Sequence, residues 1–183
     1  RLFGQPYGFT PDNSHLGIVI KTNSNIEAKN RATVAEVYQQ VIDDLEDAST
    51  LLPDDNGNYA TSHSADAFLA KVYFQMNDFT NAASYAEDVI NSGAFTFSND
   101  LNNRFSTNIS SESVFTVIST GIEDNRASIF RGMYDSRNDV PTLLVSQDLY
   151  SQITGNSNDL RNDWVTTRDG NRVFTKFNLD YMN

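Results

Sequence analysis

Between residues 33 and 52 apolar side chains recur every three or four positions: Val34, Val37, Tyr38, Val41, Ile42, Leu45, Ala48, Leu51 and Leu52. That spacing predicts one helix with a single buried stripe. Thr33 and Glu36 stand in the T-x-x-E order of a capping box, and Pro53 stops the run. The opposite face carries Glu36, Gln40, Asp43, Asp44 and Asp47, and Asp54-Asp55-Asn56-Gly57-Asn58 is turn chemistry. A second helix is predicted over about 64–76, with Ala67, Phe68, Ala70, Val72, Tyr73 and Met76 on a broad apolar face. Asn77-Asp78 leaves a very short break. A third helix from Phe79 turns Ala82, Ala83, Tyr85, Ala86, Val89 and Ile90 inward and ends at Gly93, placed as a left-handed cap. Helices of similar length joined by so short a turn form an antiparallel hairpin.

The flanking segments read differently. Residues 5–30 mix Pro6, Gly8, Pro11 and Gly17 with Asn and Ser, so they form a long irregular connection that packs over something or does something. After Gly93 the helical period disappears: Ser113 to Ser119 and Val173 to Phe177 are rich in strand formers, and Ser146 to Ile153 fits a short capped helix. Gly121 to Pro141 reads as a long loop. The expected organisation is one domain over 1–183, with helical hairpins over 31–93 and a loop-rich segment with short strands and a short helix over 94–183.

Leu69, Ala70, Tyr73, Ala82, Ala86 and Val89 fall at the spacing of a tetratricopeptide repeat, whose small residues let two helix axes approach closely. Ala70 and Ala82 are therefore expected at close helix contacts. A single unit cannot bury its own apolar face, so neighbours are required. The fold class expected is mainly α, with tetratricopeptide-like hairpins in an α-α superhelix, long loops and a few short strands.

Composition narrows the function. The 183 residues carry a net charge of −11, and residues 1–100 hold 5 basic against 14 acidic side chains while 101–183 hold 8 against 10. Such a balance argues against a nucleic-acid partner and against a polybasic membrane surface. Cysteine is absent, which excludes a disulfide framework, a thiolate nucleophile and a zinc-cysteine site within these residues. The two histidines, His15 and His63, have no paired metal-ligand spacing. There is no G-x-S-x-G, and the Asp43-Asp44 pair lies on a solvated helix face where a general acid cannot be tuned. Asp54 to Asn58 fails the spacing of a calcium loop. No catalytic residue, metal or cofactor is expected. The longest apolar runs are far short of the roughly 20 residues that span a bilayer. The first residues, Arg1-Leu2-Phe3-Gly4-Gln5-Pro6-Tyr7, lack both an initiating Met and a signal peptide, as expected of a cut inside a longer protein.

The order of motifs resembles a known family. RATVAEVYQQVIDDLEDASTLL over 31–52, ADAFLAKVYFQMNDF over 65–79 and AASYAEDVINSGAF over 82–95 are similar to the SusD/RagB family of Bacteroidetes outer-membrane nutrient-binding lipoproteins. RLFGQPYG, HLGIVI, SESVFTVIS, NDLRNDW and VFTKFN follow in the family's order. The resemblance implies a surface-exposed protein that captures oligosaccharide or another nutrient and passes it to a SusC-like TonB-dependent transporter. Its membrane attachment would run through a lipid anchor outside these residues. Family members are longer at both ends.

Glycan capture needs aromatic faces and planar polar side chains. The best such cluster is Phe130, Arg131, Tyr134, Arg137 and Asn138 in the loop before Pro141. The competing reading is that Phe130 and Tyr134 simply pin the loop to the scaffold. Tyr7, Phe9 and Trp164 are weaker stacking candidates, Arg161 is expected in an ion pair or cap, and Tyr38 and Tyr73 are scaffold. Two rivals to capture stand: a tetratricopeptide-type scaffold that binds a partner protein or peptide, and a glycoside-processing enzyme, which would need two facing carboxylates.

Overall fold

A computed structural model describes residues 4–101, 110–117, 133 and 141–176. The chain divides into two compact units, Arg1–Phe95 and Thr96–Asn183. The fold is mainly α, with tetratricopeptide-like helical hairpins, long loops and short strands.

In the first unit α1 (Val34–Leu51), α2 (Ser62–Gln75) and α3 (Phe79–Asn91) follow one another, α2 packing against both of the others. The start of α1 is heavily specified. Thr33 Oγ1 accepts from the Glu36 N–H at 3.2 Å, and the Glu36 carboxylate accepts from the Thr33 N–H at 2.7 Å, which completes the predicted capping box. The irregular segment before it supplies more: the Val34 N–H donates to the His15 carbonyl at 2.9 Å and the Ala35 N–H to the Asn13 carbonyl at 3.0 Å. These are donors that a helix start leaves without intrahelical partners. Gly17 makes this docking possible, because a Cβ there would lie 3.1 Å from a Val37 methyl and 3.3 Å from the Ala32 and Thr33 carbonyl oxygens.

The α2–α3 junction is two residues long and has a defined geometry. The Asn77 N–H donates to the Phe74 carbonyl at 3.2 Å and the Asp78 N–H to the Tyr73 carbonyl at 3.0 Å, the paired bonds of a Schellman cap. Asn77 takes the left-handed conformation this needs, φ 62°. Asp78 then caps α3 by accepting from the Asn81 N–H at 3.2 Å. At the far end of α3, Gly93 has φ 71°, as its predicted place required.

The helix faces depart from the periodicity in two ways. Val34 and Ile42 are buried in α1, and Leu69, Ala82 and Val89 of the repeat pattern are buried in the hairpin. Phe68, expected inside, is exposed, and the fully covered positions of α2 include Ser62, Ser64 and Ala65. The serines tolerate burial because their hydroxyls are used: Ser64 Oγ donates to the Thr61 carbonyl at 2.6 Å and Ser62 Oγ to Asp54 at 2.6 Å. Ala82 is buried and Ala70 half-buried. Together with Phe74, Phe79, Ala83 and Ala86 they line an open apolar groove of about 630 Å³.

The second unit holds α4 (Gln147–Thr154), a 3-10 turn at Leu160–Trp164, and an antiparallel hairpin of β1 (Val165–Arg168) and β2 (Asn171–Phe174). Ser146 caps α4 as the sequence predicts. Val145, Ile153 and Val165 form the core, with Tyr150 and Phe174 packed on it. The hairpin turns through Asp169 and Gly170, both at positive φ (48° and 77°), which suits the twist of a two-residue connection. Pairing places Val165 opposite Phe174 and Arg168 opposite Asn171. The strand predicted from Val173 thus begins two residues earlier. Of the strand predicted over Ser113 to Ser119, the described residues 113–117 form none. Strand-forming side chains do not suffice without a paired backbone. The neighbouring backbone is held instead by Thr96 and Ser111, whose N–H and carbonyl meet at 3.0 Å.

Candidate functional site

The predicted ligand cluster Phe130, Arg131, Tyr134, Arg137 and Asn138 lies outside the described residues. Met133 of that loop is described, and its carbonyl accepts from the Leu143 N–H at 3.0 Å. Two residues on, the Val145 N–H donates to the Arg172 carbonyl at 2.8 Å, and Arg172 Nε returns a bond to the Val145 carbonyl at 3.2 Å. The end of the loop is thereby tied to the open edge of β2.

The early aromatic candidates divide. Tyr7 packs against Tyr38 of α1 with the rings tilted at 57° and centroids 4.8 Å apart, and so belongs to the scaffold contact. Phe9 is 59% exposed and meets the His15 ring edge-on at 5.4 Å. His15 is bonded to Thr10 Oγ1 at 2.9 Å, and His63 lies edge-on to Phe95 at 5.8 Å. Among the described residues no group of three metal-ligating side chains occurs, and no helix is long and apolar enough to cross a membrane. The Asp54–Asn58 turn spends its polar groups internally, with Asp55 accepting from the Gly57 N–H and Asn56 donating to the Ala60 carbonyl.

The three helices of the first unit share a polar clasp. Tyr73 of α2 and Tyr85 of α3 stack nearly parallel at 5.6 Å, and both hydroxyls approach the same oxygen of Glu46 on α1, at 3.5 and 3.4 Å. Partial burial, followed by the Glu46 charge, raises both phenol pKa values above the ordinary tyrosine range. Tyr38 donates to Gln75 at 3.2 Å and Ser49 to Asp66 at 2.5 Å. These contacts confirm Tyr38 and Tyr73 as scaffold. A polar groove of about 530 Å³ runs beside α1, but its glutamines are engaged, Gln39 with Asp43 and Gln40 with Asp44.

Trp164 closes the 3-10 turn in the second unit and is half-buried. The Lys176 ammonium sits over its ring at 4.9 Å and near the Phe174 ring at 5.3 Å. Burial holds the Lys176 pKa below the usual lysine range. Sequence reading picked out Trp164 and missed Lys176 and Phe174 beside it; the Asp-Gly turn signal at 169–170 would have found the hairpin that joins them. Arg161 makes the expected ion pair, Nη2 to Asp159 at 2.6 Å. At the far end of the hairpin Arg168 Nη1 is enclosed with no hydrogen-bond partner among the described residues.

The chain is similar to known proteins in sequence and in fold. Residues 2–74 match the SusD-like family model described as starch-binding and associating with the outer membrane. Over 96 residues the chain is 35% identical to SusD-like protein P2 of Formosa agariphila, covering 51% of this chain and 18% of that one. Its fold matches a SusD superfamily protein of Bacteroides thetaiotaomicron with a TM-score of 0.79 and 24% identity, over 100% of this chain and 45% of that one. A SusD-like carbohydrate binding protein of Bacteroides vulgatus matches with a TM-score of 0.70 and 16% identity, over 91% and 37%. Its first part is similar in sequence to SusD-like proteins, and its fold along its length is like theirs. It spans less than half the length of these solved relatives.

Proposed function

We propose that the protein captures oligosaccharide at the outer membrane surface and releases it unaltered to a SusC-like TonB-dependent transporter, with membrane attachment through a lipid anchor. The observation that carries this reading is the match of residues 2–74 to a starch-binding, outer-membrane-associating family. The carbohydrate-binding relative of similar fold supports it. The mechanism is equilibrium binding: aromatic faces desolvate the sugar ring, planar polar groups fix its hydroxyls, and no bond is made or broken. Phe130, Arg131, Tyr134, Arg137 and Asn138 are the residues assigned to the ligand.

The test is a polysaccharide-array binding assay on the protein beside its Tyr134→Ala variant. Binding that the variant loses, at an unchanged Tm, supports both capture and the loop site. Binding that the variant keeps moves the site elsewhere, and failure to bind any glycan overturns capture. Turnover of a bound glycan would overturn the non-catalytic mechanism. The open α2–α3 groove, with Phe74 64% and Phe79 57% exposed, favours a second reading, a tetratricopeptide-type scaffold for a partner protein or peptide. Under that reading the array is blank.

A further inference from the structure

Asparagine is among the side chains that decompose without an enzyme, and the residue that follows it sets the pace. The successor's backbone nitrogen has to reach the side-chain carbonyl carbon, and a Cβ on the successor obstructs that approach. Asn56-Gly57 is the one Asn-Gly step in the 183 residues, and it lies in the loop between α1 and α2. Gly57 is exposed at φ 58°, and a Cβ built on it would meet nothing within 4 Å, so its surroundings are open. Its N–H stands outside every helix and strand and donates to the Asp55 carboxylate at 3.1 Å, an exposed bond of small net worth. Asn56 is half-buried, and its Nδ2 donates to the Ala60 carbonyl at 2.8 Å. Other asparagines of the first unit are placed differently. Asn91 precedes Ser92, whose N–H is held by the Asp88 carbonyl at 3.0 Å, and Asn77 precedes Asp78, whose N–H serves the Schellman cap.

We propose that Asn56 is a site of spontaneous deamidation, through a succinimide closed by the Gly57 nitrogen, and that its conversion unties the loop that seats α2. The Gly57 nitrogen loses its proton and bonds to the Asn56 side-chain carbonyl carbon. The bond from that carbon to Nδ2 breaks, and ammonia leaves with the proton. One water then opens the five-membered ring. Opening at the side-chain carbon gives aspartate, and opening at the main-chain carbon gives isoaspartate, whose backbone is one methylene longer. One water enters and one ammonia departs, with no oxidation or reduction.

The consequence follows from what Asn56 holds. Its amide is a donor to Ala60, the residue before the Thr61 cap of α2. A carboxylate has no proton to give at neutral pH, so the Ala60 carbonyl would face an acceptor where it now meets a donor. The new charge also joins Asp54 and Asp55, and Asp54 is the partner of the buried Ser62 hydroxyl at 2.6 Å. Nearby, the Thr61 N–H donates to Ser64 Oγ at 2.8 Å and the Ser62 N–H to the Pro53 carbonyl at 3.1 Å. Loosening the turn therefore reaches the first amides of α2. This inference is independent of the capture reading.

The test is peptide mapping by mass spectrometry on the protein aged at neutral and mildly alkaline pH. The peptide that contains Asn56 should gain about 1 Da and separate by chromatography into aspartate and isoaspartate forms, the second being the mark of the cyclic route. Gly57→Asn keeps a residue that tolerates positive φ but sets a Cβ beside the attacking nitrogen, so conversion at Asn56 should slow about tenfold or more. In the aged protein, and in Asn56→Asp, amide hydrogen exchange at Thr61 and Ser62 should accelerate about tenfold, the factor for one lost hydrogen bond. No isoaspartate at Asn56, or conversion there no faster than at Asn91, overturns the assignment of the site. Conversion with unchanged exchange at Thr61 and Ser62 overturns the untying of α2.

Discussion

Asp159 and Arg161 form a single-residue-spaced ion pair whose geometry sets a titration. The guanidinium of Arg161, assisted by its backbone N–H, holds the Asp159 carboxyl down to about 2. A carboxylate depressed on folding contributes stability that is complete above its unfolded value, 3.8, and is lost as pH falls through about 2. Side-chain carbonyl NMR should find the Asp159 midpoint near 2, moving up toward the ordinary aspartate range in Arg161→Gln. Both groups are solvent-exposed, so a small effect on stability is expected at neutral pH. Leu69 is the opposite case. It is fully buried between the helices, and Leu69→Ala should cost about 2–5 kcal/mol in denaturant unfolding. A smaller loss would mean that the hairpin collapses around the deletion.

At the level of elements, the two-residue junction between α2 and α3 is the most tightly specified piece of backbone. Asn77 occupies a left-handed position where a β-branched side chain is strained, so Asn77→Val should destabilise by about 1–2 kcal/mol while Asn77→Gly stays near neutral. Thermal unfolding of the pair decides it. Ala70→Leu, by contrast, should leave Tm nearly unchanged, because Ala70 lines the open α2–α3 groove, where a longer side chain has room. The helices were legible because periodicity, capping residues and breakers agree: Thr33 with Glu36, Asp78, Ser146 and Gly93 each stand where the caps form. The burial of α2 was not legible, since α2 is flanked by helices on two sides and its apolar residues do not define one face. The absent strand at 113–117 shows the same limit from the other side, for strand pairing depends on a partner that no local pattern names.

For the molecule as a whole, charge is divided unequally between the two units, and the acidic excess of the first governs colloidal behaviour. With a sequence pI near 4.4, light scattering should rise as pH is lowered toward that value and fall again below it. The likeness to SusD-like proteins was legible because several motifs recur in a fixed order, and the match over residues 2–74 takes in the first of them, from RLFGQPYG to the start of the helical hairpin. The aromatic–ammonium contact was only half legible. Trp164 stands out as the sole tryptophan, but Lys176 is twelve residues away and joins it only once the hairpin has formed.

The docking of the irregular N-terminal segment onto α1 has a practical consequence for trimming the chain. The Asn13 and His15 carbonyls hold the Val34 and Ala35 N–H groups, so cleavage anywhere between Gly17 and Ala32 leaves both bonds in place only while the freed peptide stays bound. Removing residues 4–16 outright would strip the helix of those acceptors and leave the Thr33–Glu36 box to hold the first turn alone. Amide hydrogen exchange at Val34 and Ala35 should then accelerate toward that of a frayed terminus, while Leu69 in the middle of α2 keeps its protection. A shortened version of this protein that preserves its helical scaffold therefore has to begin well ahead of the first helix.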